Sequence, residues 1–194
     1  MSRPADGDAD ARLSRAVHDV LAHQGLERLT IRAVATAAGC TTGLVMHRFP
    51  HRRALLLHAR RLMHDRTRAR AEAAEAAAPT PRAALRDVLR HGLSLDATGR
   101  RESVVWTGFL AAAVGDDELT ALHRAHNRAW RQRVTRLVTA AAPDWPPERV
   151  STVMHALIST VEGAAALAAG DPDTFTPAVQ SELLDATLAA HGLH

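Results

Sequence analysis

The sequence contains no lysine and no tyrosine, and its one cysteine is Cys40. All 24 basic residues are therefore arginines. The missing lysine excludes a catalytic lysine Schiff base and a P-loop lysine. A single cysteine excludes a disulfide framework and a multi-cysteine zinc site, and it is typical of a protein kept in the reducing cytoplasm.

Aromatic residues make up only 3% of the 194 residues, and β-branched residues are sparse beside the abundant alanine. This composition favours helices over a large sheet. Hydrophobic residues at 46% and charged residues at 23% are ordinary for a soluble globular protein of one or two domains. We expect no membrane span, because apolar runs are short, and no signal peptide, because residues 1–12 are acidic and polar.

The charge is unevenly distributed along the chain. The formal net charge is +3, yet residues 26–70 contain ten arginines against Glu27 and Asp65. A basic block in an otherwise acidic protein suggests a polyanionic partner, and an arginine-rich helix face in solvent is the alternative.

Helical spacing of apolar residues, with capping residues and Pro or Gly breaks, predicts an all-α fold of about nine helices. Residues 1–8 are predicted to be a flexible arm, and residues 94–100 a loop. The predicted helices cover 9–24, 31–38, 42–49, 52–78, 81–93, 101–114, 117–141, 147–169 and 177–191.

Two short helices joined by the turn Ala38–Thr41 predict a helix-turn-helix unit at about residues 31–50. Gly39 can adopt the positive φ that a tight turn needs. On the second helix, Val45 and Phe49 are spaced to enter a core. The outward positions combine apolar and basic side chains, which suits a DNA groove better than a solvated surface; they are Thr42, Leu44, Met46, His47 and Arg48.

At Gly25–Leu56, which reads GLERLTIRAVATAAGCTTGLVMHRFPHRRALL, the chain resembles the TetR family of bacterial transcription regulators. The shared features are the Gly-Leu lead, the Ala-Gly turn, the recognition helix ending in His-Phe, and a basic start to the fourth helix. Met46 stands where the family usually has a phosphate-binding tyrosine, and His51 replaces the usual Ser or Asn cap. The resemblance implies DNA contacts from Thr30, Arg32, Thr41, Thr42, Leu44, Met46, His47, Arg48, His51 and Arg52.

Two helices of the C-terminal region predict a small-molecule pocket. Trp106 and Phe109 share one face, and His123, Asn127 and Trp130 share another. The stretch 106–130 is similar to the betaine-regulator-like subgroup of the same family, which implies an effector site. A packed core is the alternative role for these aromatic residues. The candidate effector-binding residues are Met63, His91, Trp106, Phe109, Leu110, His123, Asn127, Trp130, Met154 and Ile158.

The eighth predicted helix is apolar over much of its circumference, which predicts burial on two sides. One side should face its own domain, and the other a second subunit, with Ser159 and Gly163 permitting close approach. The resemblance implies a four-helix dimer interface, for which the candidates are Met154, Ser159, Gly163, Val179, Leu183 and Thr187. Glu162 in this apolar run could meet a cationic effector or form a hydrogen bond at an interface.

The sequence and the resemblance therefore predict a cytoplasmic, ligand-responsive transcriptional regulator with an effector of unknown identity. Repression is the usual mode of action in the resembled family. The protein should bind double-stranded operator DNA as a homodimer, with a DNA-binding domain at 9–54 and an effector-binding and dimerisation domain at 55–194. No catalytic residue, cofactor or metal is expected. The alternatives are a DNA-binding regulator without a sensor, favoured by a filled core near Trp106 and Trp130, and a metal-dependent protein suggested by His123 and His126.

Overall fold

The computed structural model describes the backbone of residues 4–194 and the side chains from Asp8 onward; this range contains nine α-helices and no strand. The predicted all-α class is confirmed. The helices are α1 Pro4–Gln24, α2 Ile31–Ala38, α3 Thr42–Arg48, α4 Arg52–Ala77, α5 Pro81–Arg90, α6 Ala97–Ala113, α7 Asp117–Ala141, α8 Pro147–Gly170 and α9 Pro177–Ala190.

Helices α1 and α6 begin earlier than predicted. Residues 4–8 of the predicted arm belong to α1, because proline is tolerated in the first turn of a helix. Residues 1–3 lie outside the described range. Helix α6 begins inside the predicted loop, because the Asp96 carboxylate caps it by accepting the Gly99 N–H at 2.7 Å.

The N-terminal hydrophobic core joins α1 to α4, and it extends into α6. Val17, Val34 and Val45 are fully buried in it, as the helical spacing predicts. Gly39 has a φ of 60° and closes α2, so the predicted turn is present. Leu55 and Phe109 belong to the same core, which therefore continues past the expected domain boundary at residue 54.

The C-terminal hydrophobic core is built mainly by α5, α7, α8 and α9. Leu85, Leu157 and Leu184 are fully buried there. Helix α8 is long and apolar enough to cross a membrane by length and composition alone. A core helix meets the same criterion, and Val150, Val153 and Val161 of α8 are buried in this core.

One buried amide ties α9 to the loop between α5 and α6. The Gln180 side chain is 1% exposed; its Oε1 accepts the Ser94 N–H at 2.8 Å, and its Nε2 donates to the Phe175 carbonyl at 2.8 Å. The Ser94 hydroxyl donates to the Ser103 hydroxyl of α6 at 2.7 Å. Because Ser94, Ser103 and Gln180 are buried, the network fixes α9 against the start of α6.

Replacing this amide by an isosteric thioether is expected to destabilise the protein. Gln180→Met should lower the free energy of unfolding by about 2 kcal/mol, because the Ser94 N–H and the Phe175 carbonyl lose their partner while buried. Urea denaturation at a fixed protein concentration measures the change. Gln132→Met on the exposed side of α7 is the control and should change stability by less than about 0.5 kcal/mol. Equal stability of the two variants would contradict the assigned role.

Candidate DNA-binding surface and effector cavity

Helix α3 presents a mixed apolar and basic surface to solvent. It is held from beneath by Val45, at 0% exposure, and by Phe49 just after its last turn, at 2%. Leu44 and Met46 are 38% and 52% exposed. The predicted contact residues Thr42, Leu44, Met46, His47 and Arg48 are all on the exposed side. All five predicted positions are therefore accessible to solvent.

Three predicted contact residues cap the helices of this unit. The hydroxyl of Thr30 accepts the Ala33 N–H at 3.1 Å, and that of Thr41 accepts the Leu44 N–H at 3.3 Å. His51 Nδ1 accepts the Ala54 N–H at 3.1 Å, so histidine replaces a Ser or Asn cap without loss of the bond. Each threonine hydroxyl keeps its own hydrogen free to donate to a phosphate.

The predicted arginines differ in their surroundings. Arg32 and Arg52 are exposed and form no ion pair with any residue that the structure describes. The Nε of Arg48 donates to the Asp10 carboxylate of α1 at 2.9 Å, and its guanidinium lies 5.3 Å from the centre of the Phe49 ring. Arg48 must therefore exchange one anionic partner for another in order to contact DNA.

Arg53, which the sequence did not single out, links the start of α4 to the start of α7. Its Nε donates to one carboxylate oxygen of Asp116 at 2.8 Å, while the other oxygen caps α7 by accepting the Leu119 N–H at 3.0 Å. The Leu119 N–H and then Arg53 lower the pKa of Asp116 below its usual value. The Asp116 carboxylate thus caps α7 and also binds Arg53 of α4.

A cavity of about 190 Å³ lies between α4, α5, α6, α7 and α8. The core near Trp106 and Trp130 is therefore not filled, which favours a sensor over a regulator without one. Five of the ten predicted effector-binding residues line this cavity: Met63, His91, Trp106, Asn127 and Trp130.

The other five predicted effector-binding residues do not line it. Phe109 is buried in the N-terminal core, because positions 105, 109 and 113 form the opposite side of α6. Leu110 is 40% exposed. Met154 and Ile158 are buried in the C-terminal core of their own chain, so Met154 does not face a partner either. His123 lies outside the lining. Its Nε2 accepts a hydrogen bond from the Asn127 Nδ2–H at 2.9 Å.

Six charged residues also line the cavity, and of these the sequence analysis singled out only Glu162. Four arginines and two glutamates line it: Arg60, Arg68, Arg70, Arg133, Glu102 and Glu162. Arg70 forms a two-bond pair with Glu102 at 2.9 and 2.5 Å. Arg133 lies 2.9 Å from Glu75. Arg60 is only 5% exposed, and it shares the inward side of α4 with Leu56 and Met63, a helical spacing that could have revealed it.

Two histidine rings stack face to face at the cavity. His64 of α4 and His126 of α7 have ring centres 3.9 Å apart and an angle of 4° between planes. Burial, and then the charge of Arg60, lower the pKa of His64 and lower that of His126 to about 3. Both rings are therefore neutral near pH 7. Among the described residues no three His, Cys, Asp or Glu side chains are grouped to hold a metal ion.

A second cavity, of about 200 Å³, lies between α1, α4 and α6. His18, Leu62 and Thr98 contribute to its wall, and Met63 and Glu102 are shared with the first cavity. Because α1, α4 and α6 all contribute to its wall, a molecule bound there would contact the N-terminal helix and the effector-binding part of the chain together.

Comparisons with known proteins agree with this arrangement. Residues 81–192 match the family model described as the C-terminal region of BetI-type transcriptional repressors, and residues 15–59 match that of the tetR family of bacterial regulatory proteins. The chain belongs to the TetR family. This membership makes it a DNA-binding transcriptional regulator, which acts on operator DNA as a homodimer and responds to a small molecule. No curated protein sequence matches it.

Solved structures of other regulators share the fold of this TetR-family chain. A transcriptional regulator from Rhodococcus is 29% identical, with a TM-score of 0.81 over 93% of this chain and 94% of its own. A regulator from Saccharomonospora viridis, crystallised with choline, is 15% identical, with a TM-score of 0.84 over 94% and 96%. One from Streptomyces coelicolor is 19% identical, with a TM-score of 0.74 over 95% and 96%.

The neutral state of His126 predicts a loss of stability in acid. The ring has a pKa near 6.5 when unfolded and about 3 when folded, so below pH 6.5 the unfolded chain takes up a proton that the folded chain does not. The free energy of unfolding should therefore fall as the pH falls. Because the ring is only half-buried, we expect His126→Asn to remove about 1 kcal/mol of the loss between pH 7 and pH 5.

Urea denaturation at the two pH values measures this difference. His194→Asn, at an exposed position after α9, controls for the loss of one histidine. An identical pH dependence in wild type and His126→Asn would show that the stacked ring is not kept neutral by its surroundings.

Proposed function

We propose that this regulator reads operator DNA with the exposed side of α3 and is released when a small molecule fills the cavity between α4 and α8, so that it acts as a repressor. One observation carries the proposal: α4 begins next to the recognition helix and also lines the cavity. Leu55 and Leu56, in its first turn, are buried in the N-terminal core, whereas Arg60, Met63 and His64 line the cavity.

The proposed DNA contacts fall into two kinds. Leu44, Met46 and His47, on the exposed side of α3, would meet base edges in the major groove, where an apolar side chain can contact a thymine methyl. Thr30, Arg32, Arg52 and the capping residues Thr41 and His51 surround α3 with hydroxyl, imidazole and guanidinium donors, which suit phosphates. Thr42 and Arg48 lie where either kind of contact is possible. Three of the ten arginines at residues 26–70 line the cavity, namely Arg60, Arg68 and Arg70. Affinity for the polyanion would come from those near α3, such as Arg32, Arg48 and Arg52.

The proposed dimer interface uses the outer sides of α8 and α9. Leu167 and Leu183 are 53% and 40% exposed there, and apolar side chains of this size favour burial against a second subunit. Ser159, Gly163, Val179 and Thr187 belong to the same two helices. Thr187 also lies 3.5 Å from Thr160, oxygen to oxygen, which joins α9 to α8. A twofold axis here would present two α3 helices to successive major grooves.

We also propose a cytoplasmic location, no enzymatic activity, and a functional division near residue 54. The proposed division separates residues by their role and not by their packing, since the N-terminal core includes residues of α6.

An effector in the cavity would act through α4. It would bind better to the conformation in which the two α3 helices of the dimer do not fit the operator.

Loss of the Arg48 guanidinium is expected to weaken operator binding without unfolding the protein. On DNA from upstream of its own gene, Arg48→Ala should lower affinity at least tenfold in a mobility-shift titration, because one charged contact to the duplex is lost. The circular dichroism spectrum should be unchanged, since Arg48 is exposed. Arg128→Ala, which removes an equally exposed arginine from α7, should bind like wild type. Unchanged binding by Arg48→Ala would contradict the DNA assignment.

Filling the cavity is expected to abolish the response to small molecules while sparing DNA binding. Ala129 lines the cavity from an exposed position on α7, so Ala129→Trp inserts a ring at low cost to the core. Compounds that raise the melting temperature of wild type and weaken its operator binding should do neither in this variant. Ala121→Trp, exposed on the same helix, is the control. A full response in Ala129→Trp would move the effector site elsewhere, for example to the cavity between α1, α4 and α6.

A further inference from the structure

The strongest unexplained feature of the cavity is a buried guanidinium without a partner. Arg60 is 5% exposed, its Nε is inaccessible to solvent, and its side chain forms no hydrogen bond or ion pair with any residue the structure describes. Burying such a group without a partner is costly, so it is seldom retained for stability alone. Arg60 lines the cavity, where a ligand can reach it.

The other charges of the cavity wall do not neutralise Arg60. Arg70 is paired with Glu102, and Arg68 and Arg133 are paired with Glu72 and Glu75. Of the two lining acids only Glu162 is unpaired, and no ion-pair contact within 4 Å joins it to Arg60.

Burial affects the ionisation of Glu162 and of Arg60 differently. Burial raises the pKa of Glu162, which favours its neutral form, whereas Arg60 remains charged near neutral pH although burial lowers its pKa to about 10. The geometry points the same way: the Nε of Arg60 is buried without a hydrogen bond, whereas no oxygen of Glu162 is in that state, so Arg60 is the group that lacks a counterion.

The size and the walls of the cavity define the rest of the ligand. A cavity of roughly 150 Å³ holds a benzene ring, so about 190 Å³ leaves room for one ring with a short substituent. Flat side chains line it, namely Trp106, Trp130 and the stacked pair of His64 and His126. Such faces suit a planar ring through stacking. They would also accept a quaternary ammonium group through cation–π contact, so the charge of the ligand is decided by Arg60.

We infer that the cavity binds a monocarboxylate with a single ring, of about the size of benzoate, and that Arg60 is the residue that binds its carboxylate. The inference rests on the proposed function, since it assigns a chemical class to the effector of that cavity. It also sets this chain apart from a receptor for a cation such as choline: a guanidinium matches a carboxylate through two parallel N–H bonds, but it repels a trimethylammonium group.

The test compares isosteric ligands that differ in charge. Isothermal titration calorimetry of the full-length protein without DNA, at neutral pH, would use benzoate, neutral benzamide, cationic benzamidine and choline. Benzoate should bind at least about tenfold more tightly than benzamide, because it adds a charged hydrogen bond to Arg60. Benzamidine and choline should bind more weakly than either. Tighter binding of benzamidine or choline than of benzoate, or no measurable binding of benzoate, overturns the inference.

Arg60→Met tests the anchoring residue directly. It should lose the preference for benzoate over benzamide, while the ligand-free melting temperature stays equal or rises, because a buried unpaired charge is replaced by an apolar side chain. Arg61→Met, an exposed neighbour outside the cavity lining, should behave as wild type. Retention of the preference by Arg60→Met overturns the assignment. If Arg60→Met does not fold, the comparison of ligands on wild type still decides the charge of the ligand.

An operator-release assay separates this inference from the proposed function. If benzoate binds in the cavity and operator affinity does not change, the ligand class stands and the coupling to DNA fails. If benzamidine binds more tightly than benzoate and releases the operator, the coupling stands and the anionic class is wrong. Ala129→Trp, tested in parallel, confirms that the heat measured with benzoate comes from this cavity.

Discussion

Helix α4 packs its first turns into the N-terminal core and its later turns against the C-terminal core, with the cavity between the two. Leu55 is fully buried on one side of this division and Ala71 is buried on the other. Helix α4 is one unbroken helix of 26 residues that joins the two cores. Under the proposed function, a ligand that displaces α4 at the cavity also displaces its start, next to the recognition helix.

The side chains proposed to bind the ligand also reduce the stability of the fold. An unpaired guanidinium and a glutamate away from any ion pair are poor choices for a core, and a leucine in either place would pack better. The stacked rings of His64 and His126 are also poor core residues. Both are neutral, and His126 leaves its Nδ1 buried without a hydrogen bond. The arginines around them form ion pairs, but Arg70 Nε and Arg133 Nη1 are likewise buried without a hydrogen bond, so the whole polar wall is incompletely satisfied.

Much of the N-terminal unit was predictable because its signals are local. Thr30, Thr41 and Gly39 report their backbone conformation directly, and the spacing of Val45 and Phe49 fixes which side of α3 is buried. The cavity was only half predictable, because it depends on how five helices are rotated against one another. Phe109 and Trp106 are three residues apart, yet a rotation of α6 sends one to a core and the other to the cavity. Arg60 was missed because an arginine in a basic helix suggests a solvent-exposed side chain.

The Asp10 carboxylate competes with the phosphates of DNA for the guanidinium of Arg48. Both side chains are about half exposed, so the pair is held loosely and dissolved ions weaken it. Ionic strength then acts in two opposing ways: it screens the attraction between the protein and the phosphates, and it also frees Arg48 from α1 for the duplex. A regulator arranged in this way should tolerate changes in cellular salt better than its count of arginines alone would suggest.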